Sequence, residues 1–156
     1  FYRVNYDWEN WKRLTAYLNS EDFYHIHVIN RAQILYDLIY FSETDDRYHE
    51  VLFDALTYLH REDNYLPWTS VIREIKRWND ALMNTSSYDT FKRFMLYLMN
   101  SIVNRIGFDD NTNDDYLTRL GRAELIPWAC TFGHHQCEAA ASVKLMESFV
   151  GEIKKT

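Results

Sequence analysis

The sequence predicts an all-α fold, for three reasons. Glycine and proline are scarce, with 4 and 2 residues respectively, which disfavours a turn-rich β-sandwich and favours long helices. Two segments carry apolar residues at i, i+3, i+4 and i+7, a spacing that places them on one face of a helix. The first stripe consists of Tyr48, Val51, Leu52, Ala55, Leu56 and Leu59, and the second of Trp68, Val71, Ile72, Ile75, Trp78 and Leu82. Both helices must therefore pack on neighbours.

The first seven residues follow a different pattern. Tyr2, Val4 and Tyr6 point to one side of an extended chain, and the polar residues between them point to the other, which is typical of a strand. No second convincing strand follows in the sequence, and unpaired backbone groups are costly. We therefore expect an orphan strand over residues 1–7 that pairs with a sheet further upstream, in a larger protein.

Four helices are predicted over the first half of the chain. Asp7 can cap the first helix. The inner face of that helix is predicted to carry Trp8, Trp11, Leu14 and Leu18. A helix over residues 28–41 is apolar on more than one side, which is typical of a helix at the centre of its layer. A third helix covers residues 47–60, and a fourth has Pro67 in its first turn, where a missing N–H costs nothing.

Three further helices are predicted, over residues 88–105, 115–132 and 136–150. Pro127 is expected to interrupt the middle one, which ends at Gly133. The helix centres recur about every 20 residues, so a helix pair spans the period of HEAT-like repeats. The favoured architecture is a HEAT/armadillo-like right-handed superhelix of stacked antiparallel helix pairs, and a compact irregular bundle is the alternative.

The composition limits the classes of function. The net charge of −6 argues against general nucleic-acid binding, which needs a basic face. No run of about 18 apolar residues occurs, so the sequence predicts no membrane span. Aromatic residues make up 17% of the chain, which supplies ample bulk for a packed core.

No catalytic or metal-binding motif is complete in this sequence. The segment from His49 to Phe53 matches the zinc motif H-E-x-x-H except at its last position, so the second histidine ligand is missing. We interpret it as a surface His and Glu that flank a buried Leu52 and Phe53. Residues 109–115 are rich in aspartate but lack the register of a calcium-binding EF-hand, which favours a solvated acidic loop. We therefore expect no catalytic residue and no metal ligand in this chain.

Two features bear on the cellular compartment. Cys130 and Cys137 are not spaced as a C-x-x-C pair. The sequence alone is compatible with two buried thiols or with one local disulfide. Asn84 begins the triplet Asn-Thr-Ser, which fits the acceptor rule for N-glycosylation.

Several short motifs, in this order, resemble the C-terminal helical domain of zinc aminopeptidases of the aminopeptidase N type. They are Phe1–Asp7 followed by Asn10-Trp11, then Asn30-Arg31-Ala32-Gln33 with Asp37, then Tyr58-Leu59 with Glu62 and Tyr65-Leu66-Pro67-Trp68, and finally Ala129-Cys130 with Gly133 and Cys137. The chain departs from the family pattern at Tyr36, where an acidic residue is usual, and over residues 109–119. The structural motif positions that the resemblance singles out are Asn30, Arg31, Gln33, Asp37, Tyr65, Pro67 and Trp68.

The resemblance implies a role in a larger enzyme. Such enzymes remove N-terminal residues from peptides with a zinc ion held by H-E-x-x-H and a downstream Glu, which would lie upstream of this chain. Residues 1–7 would end an upstream β-sandwich domain, and residues 8–156 would begin the helical domain that encloses the substrate chamber. The implied partners are peptide substrates and the protein's own upstream catalytic and β-sandwich domains.

The resemblance also implies a disulfide between Cys130 and Cys137, and an extracellular or luminal protein anchored at the cell surface, with which a glycan at Asn84 agrees. Two alternatives use the same fold: a helical-repeat module that binds other proteins, and a catalytically inactive aminopeptidase-like surface receptor.

Overall fold

The computed structural model describes residues 3–153 and the side chains of residues 3–150, and this part of the chain is all-helical, without a strand. Its α-helices are α1 (Trp8–Leu18), α2 (Val28–Thr44), α3 (Tyr48–Thr57), α4 (Tyr65–Leu82), α5 (Tyr88–Ile106), α6 (Tyr116–Thr131) and α7 (His135–Ile153). Two short 3₁₀ helices, Phe23–His25 and Tyr58–Arg61, precede α2 and continue α3. The all-α prediction is therefore confirmed. No helix in this described part is both long and apolar enough to cross a membrane.

Helix α2 lies at the centre of the first half of the fold. It packs on both α3 and α4, while α1 packs on α3. Its buried apolar residues lie on adjoining faces, as expected for a central helix, and they are Ile34, Leu35, Leu38 and Ile39. Helix α5 packs on the 3₁₀ turn after α3 and on α6, and α6 in turn contacts α4 and α7. The two halves of the fold are thus joined through α4, α5 and α6.

The apolar stripes form one continuous core. Leu52, Leu56 and Leu59 of the first stripe are buried, as are Trp68, Val71 and Ile75 of the second. Two tryptophans, Trp11 and Trp68, are fully buried within this core. The stripe predictions are therefore right for the positions nearest the neighbouring helices, and Trp78 and Leu82 are only partly buried.

Trp8 is not an inner-face residue of α1, contrary to the sequence prediction, since 39% of it is exposed. It is the first residue of the helix, and its ring makes an edge-on contact with Tyr48, at 5.9 Å between the ring centroids. Asp7 does cap the helix, because its Oδ1 accepts a hydrogen bond from Asn10 N at 2.9 Å.

The predicted orphan strand is not confirmed. Residues 3–7 have no regular secondary structure, and residues 1 and 2 of the prediction lie outside the described residues. The segment instead binds helices, with Val4 N donating to Asp37 Oδ2 at 3.2 Å and Trp11 Nε1 donating to Asn5 Oδ1 at 3.0 Å. The alternation of apolar and polar residues predicts an extended backbone. A β-strand also needs a second strand to which its backbone can hydrogen-bond, and the described part of the chain contains none.

Helix α6 corrects one further expectation, and α7 presents an apolar surface. Pro127 does not interrupt α6, which runs through it to Thr131 and ends before Gly133, where φ is +90°. The apolar residues of α7 face solvent, and the most exposed are Val143, Leu145, Met146 and Phe149.

Candidate functional site

One buried ion pair joins Arg31, a motif residue of α2, to Glu62 in the connection before α4. Arg31 Nε donates to Glu62 Oε2 at 2.6 Å, and Nη2 donates to Oε1 at 3.1 Å, which is a bidentate geometry. Only 7% of Arg31 and 1% of Glu62 are exposed. Asn64 N also donates to Glu62 Oε1 at 3.1 Å, so the carboxylate is further satisfied by the turn before α4. The pair therefore ties α2 to the connection between α3 and α4.

The pKa values of Arg31 and of the nearby Tyr58 are both raised in the folded chain. Burial opposes the charge of Arg31, yet the hydrogen bond and charge of Glu62 outweigh it and raise the pKa of the guanidinium. Burial, with the nearby Glu62 carboxylate, raises the pKa of Tyr58 well above its usual value. At neutral pH a charged guanidinium therefore lies near a neutral phenol, an arrangement suited to fixing structure rather than to transferring protons.

Tyr65 extends this framework to α6. Its hydroxyl donates to Glu124 Oε2 at 2.6 Å, and burial, followed by that carboxylate, raises the pKa of the phenol. A Cβ at Gly121 would lie 3.0 Å from the Tyr65 ring, so glycine allows the close approach. Pro67 and Trp68 are buried next to Tyr65 in the first turns of α4. These motif residues thus position helices.

The motif residues of α2 divide between the interior and the surface. Asp37 is 2% exposed, and it accepts hydrogen bonds from Val4 N and from Gln33 Nε2, the latter at 2.8 Å. Asn30 and Gln33 themselves lie at the surface. The buried members hold the framework, while the exposed members line grooves on either side of α2.

The groove between α2 and α4, which we call the α2–α4 groove, is the candidate ligand site. It has a volume of about 440 Å³. The residues that define it are Arg3, Ile29, Gln33, Tyr36, Ser70 and Arg73. A second groove, of about 580 Å³, lies on the other flank of α2, and Asn30, Gln33 and Asp37 are among its lining residues. Gln33 is shared by both grooves.

Aromatic rings of α2 position Arg3 in the α2–α4 groove. Arg3 Nη2 donates to the Tyr36 hydroxyl at 2.9 Å, and the guanidinium carbon lies 3.8 Å from the centre of the Tyr40 ring. Sequence reasoning missed this cluster, although Ile29, Gln33, Tyr36 and Tyr40 recur at helical spacing on an outward face.

The cysteines and the sequon occupy the ends of other helices. Cys130 and Cys137 are joined in a disulfide that links the end of α6 to the start of α7. His134 lies inside this loop and is mostly buried, and burial lowers the pKa of its imidazole, with a smaller contribution from His135. Asn84 is exposed in the connection between α4 and α5.

The near-match to a zinc motif forms no metal centre. His49 and Glu50 are exposed as expected, but Phe53 is 45% exposed rather than buried, because it lies at the rim between Trp78 and Phe94. No group of three or more His, Cys, Asp or Glu side chains within residues 3–150 is placed to hold a metal ion. The described residues therefore do not form a binding site for the zinc that the resemblance implies for the parent enzyme.

The acidic loop is exposed, as predicted, and two cations lie beside it. Arg122 Nη1 lies 3.1 Å from Asp110 and 2.8 Å from Asp114, while Lys144 Nζ lies 3.1 Å from Asp109. Arg122 of α6 and Lys144 of α7 thus neutralise part of the charge of this exposed loop.

The chain is similar to known proteins along nearly its whole length. The family described as the ERAP1-like C-terminal domain matches residues 1–155. An aminopeptidase N of Plutella xylostella is 30% identical over 149 residues, which cover 96% of this chain and 16% of that protein. A membrane alanyl aminopeptidase of Manduca sexta is 32% identical over 142 residues, 88% of this chain and 14% of that protein. The thyrotropin-releasing hormone-degrading ectoenzyme of Rattus norvegicus is 25% identical over 155 residues, 94% of this chain and 14% of that protein. The chain thus spans about a sixth of each relative's length or less.

Proposed function

We propose, because this chain belongs to the family of ERAP1-like C-terminal domains, that it is a non-catalytic helical segment of a zinc aminopeptidase and encloses part of its peptide chamber. The observation that carries the proposal is the match over residues 1–155 to a domain that the aminopeptidase relatives also contain. The motif residues support it, since Arg31, Asp37 and Tyr65 make hydrogen bonds that join separate parts of the fold.

The zinc of the parent enzyme would be bound outside this segment. The only near-match to its binding motif lacks the second histidine at Phe53. We therefore assign no chemical step of the reaction to residues of this chain. Its contribution would be to shape the space in which a peptide lies and to bind parts of the peptide away from the scissile bond, as the exposed polar and aromatic side chains of the α2–α4 groove would allow.

Residues 1–7 would connect an upstream β-sandwich domain to the helical domain that begins at residue 8. The hydrogen bonds of Val4 and Asn5 to Asp37 and Trp11 favour this assignment, because they fix the incoming segment to two helices. Helices α1 to α7 would form the first part of a right-handed superhelix of antiparallel helix pairs.

An extracellular or luminal location is proposed on three grounds. Two relatives bear the names membrane alanyl aminopeptidase and ectoenzyme. A disulfide is typical of proteins in oxidising compartments. Asn84 is exposed, so a glycan could be attached to it.

The test compares the longer polypeptide that contains this chain with the 156-residue chain alone. We expect the longer polypeptide to release N-terminal residues from peptides and to lose that activity with a chelator, while the chain alone neither cleaves nor binds stoichiometric zinc. Chelator-sensitive cleavage by the chain alone would overturn the non-catalytic assignment. A longer polypeptide that binds no zinc and cleaves nothing would favour the inactive surface receptor.

A further inference from the structure

We propose that a cavity at the N-terminus of α7 binds a phosphate or sulfate monoester carried on a ring. The cavity has a volume of about 400 Å³ and lies between α5, the 3₁₀ turn after α3 and the start of α7. We call it the histidine cavity, and its lining includes His60, Tyr97, Asn100, His134 and His135. The inference goes beyond the proposed function and does not depend on it, because it follows from the hydrogen-bonding groups of the cavity itself.

The charge of the histidine cavity suits a tetrahedral anion. The whole chain has a net charge of −6, yet none of the described side chains that line the cavity is a carboxylate. Glu138, the acidic residue in the first turn of α7, is exposed and is not among the lining residues. Nor does any described arginine line the cavity, and the planar donor fork of arginine is what best matches a planar carboxylate. Donors on separate elements instead suit a phosphate or sulfate group.

His134 supplies a buried polar group without a partner. Only 9% of it is exposed, and its Nδ1 is buried and makes no hydrogen bond to any described residue. The rings of Phe108 and His135 lie 5.6 and 5.0 Å from its ring between centroids and hold it in place. A neutral imidazole carries one N–H, which can be placed on Nδ1. An oxyanion in the cavity would therefore accept from a donor that the described fold leaves unpaired.

The start of α7 adds backbone donors. The helix runs over 19 residues, and the N-terminus of such a helix carries a partial positive charge and unpaired N–H groups. Among the described residues, no backbone carbonyl accepts from the N–H of His135 or of Gln136, whereas Cys137 N already donates to His134 O at 2.9 Å. Two available N–H groups thus directly follow His134 in the chain, and helix ends of this kind bind anions.

Helix α5 contributes an amide donor and an aromatic surface. Asn100 Oδ1 accepts from Asn104 Nδ2 at 3.3 Å, which leaves the Nδ2 of Asn100 available to donate. Tyr97 is 49% exposed, and its ring stacks on that of His60 at 4.9 Å between centroids. His60 is itself fixed, because its Nδ1 donates to Thr57 O at 2.6 Å. The two stacked rings offer a flat surface to the ring that carries the ester.

The experiment titrates small probes into the isotopically labelled 156-residue chain and follows three signals by NMR: the backbone amides of His135 and Gln136 and the side-chain amide of Asn100. The probes are phenyl phosphate, phenyl sulfate, phenol, benzoate and inorganic sulfate. We expect both esters to shift all three signals and phenol to leave them unchanged. Benzoate, which lacks the tetrahedral group, and inorganic sulfate, which lacks the ring, should each bind about tenfold more weakly. The tighter of the two esters identifies whether the cavity prefers phosphate or sulfate.

Variants within the cavity locate the bound group. His134→Phe keeps an aromatic ring but removes its N–H, and it should weaken binding of the esters about tenfold, the scale of one hydrogen bond to a charged group. Asn100→Ala should weaken binding to a similar extent. Asn100 is exposed, and its side chain makes one hydrogen bond, with Asn104, so the fold does not depend on it. Asn113→Ala removes an exposed amide from the loop between α5 and α6, which does not line the cavity, and should leave binding unchanged.

Four results would overturn the inference: no shift with either ester, equal shifts with phenol, unchanged binding in both cavity variants, or equal loss in Asn113→Ala. Inorganic sulfate or benzoate that binds as tightly as the esters would show a general anion site and overturn the assignment to an ester on a ring. Because the readout is ligand binding at α7 and not cleavage of peptides, this inference and the proposed function can fail separately.

Discussion

Arg31 and Glu62 are 31 residues apart in the sequence, yet they form a bidentate ion pair that is almost entirely withdrawn from water. Removing one partner of such a pair is costly because the other is left charged and unpaired in the interior. We expect Glu62→Gln to lower the free energy of unfolding by about 3–5 kcal/mol. Denaturant melts measure this change.

The control for that variant is Glu9→Gln, which neutralises a carboxylate in the exposed pair with Arg13. Exposed pairs contribute little, so its midpoint should match that of the unaltered chain. Equal midpoints for both variants would mean that the buried pair does not hold α2 to the connection before α4.

The two tryptophans Trp68 and Trp8 offer a second comparison. Trp68 is fully buried, whereas Trp8 is 39% exposed at the start of α1. Trp68→Ala should cost about 3–5 kcal/mol, since it removes the contacts of a large core side chain and leaves a cavity. Trp8→Ala should cost clearly less in the same denaturant melts. A change for Trp68→Ala below about 0.5 kcal/mol would contradict its place in the core.

Glu74 should make stability depend on pH. Burial raises the pKa of this carboxyl above 4.5 in the folded chain, and Arg77 only partly offsets that effect. The unfolded chain therefore loses its proton first, and stability falls as the pH rises from 4.5 through the folded pKa. Glu74→Gln should remove that fall, so the variant gains stability relative to the parent chain at pH 7. Melts over a pH series that show parallel curves for the two proteins would refute this.

His134 should act in the opposite direction. Burial, aided by His135, lowers the pKa of its imidazole below 6.5 in the folded chain. The unfolded chain therefore binds a proton first, and stability falls as the pH drops from 6.5 through the folded pKa. His134→Phe should reduce this acid sensitivity, whereas His25→Gln, at an exposed position, should retain it. Thermal melts between neutral and mildly acidic pH compare the three proteins.

The sequence predicted the positions of the helices well, but it predicted less well which of their apolar residues are buried by neighbouring helices. The stripes of α3 and α4 predicted buried positions because helical periodicity places side chains on one face. The same periodicity could not show that Trp8, Phe53 and the apolar residues of α7 face solvent, since exposure depends on where neighbouring helices end. Local patterns report which residues share a face, and only the packing reports whether that face is covered.

The candidate site was predictable only in part. The family motifs pointed to Arg31, Gln33 and Asp37, and the structure gathers these around α2. The groove beside them depends on Arg3 and Arg73, which are 70 positions apart in the sequence and which no local spacing could bring together. Nor could the sequence show that Tyr36 would orient Arg3, because that contact joins the N-terminal segment to α2.

The attachment of the N-terminal segment determines how mechanical load would enter the helical body. Val4 N is bound by Asp37 on α2, and Asn5 Oδ1 accepts from both Trp11 on α1 and Tyr48 on α3. Tension applied to the chain at this end is consequently shared among three helices. Because adjacent residues make these three hydrogen bonds, the segment cannot move away from one of the helices without also straining its bonds to the others.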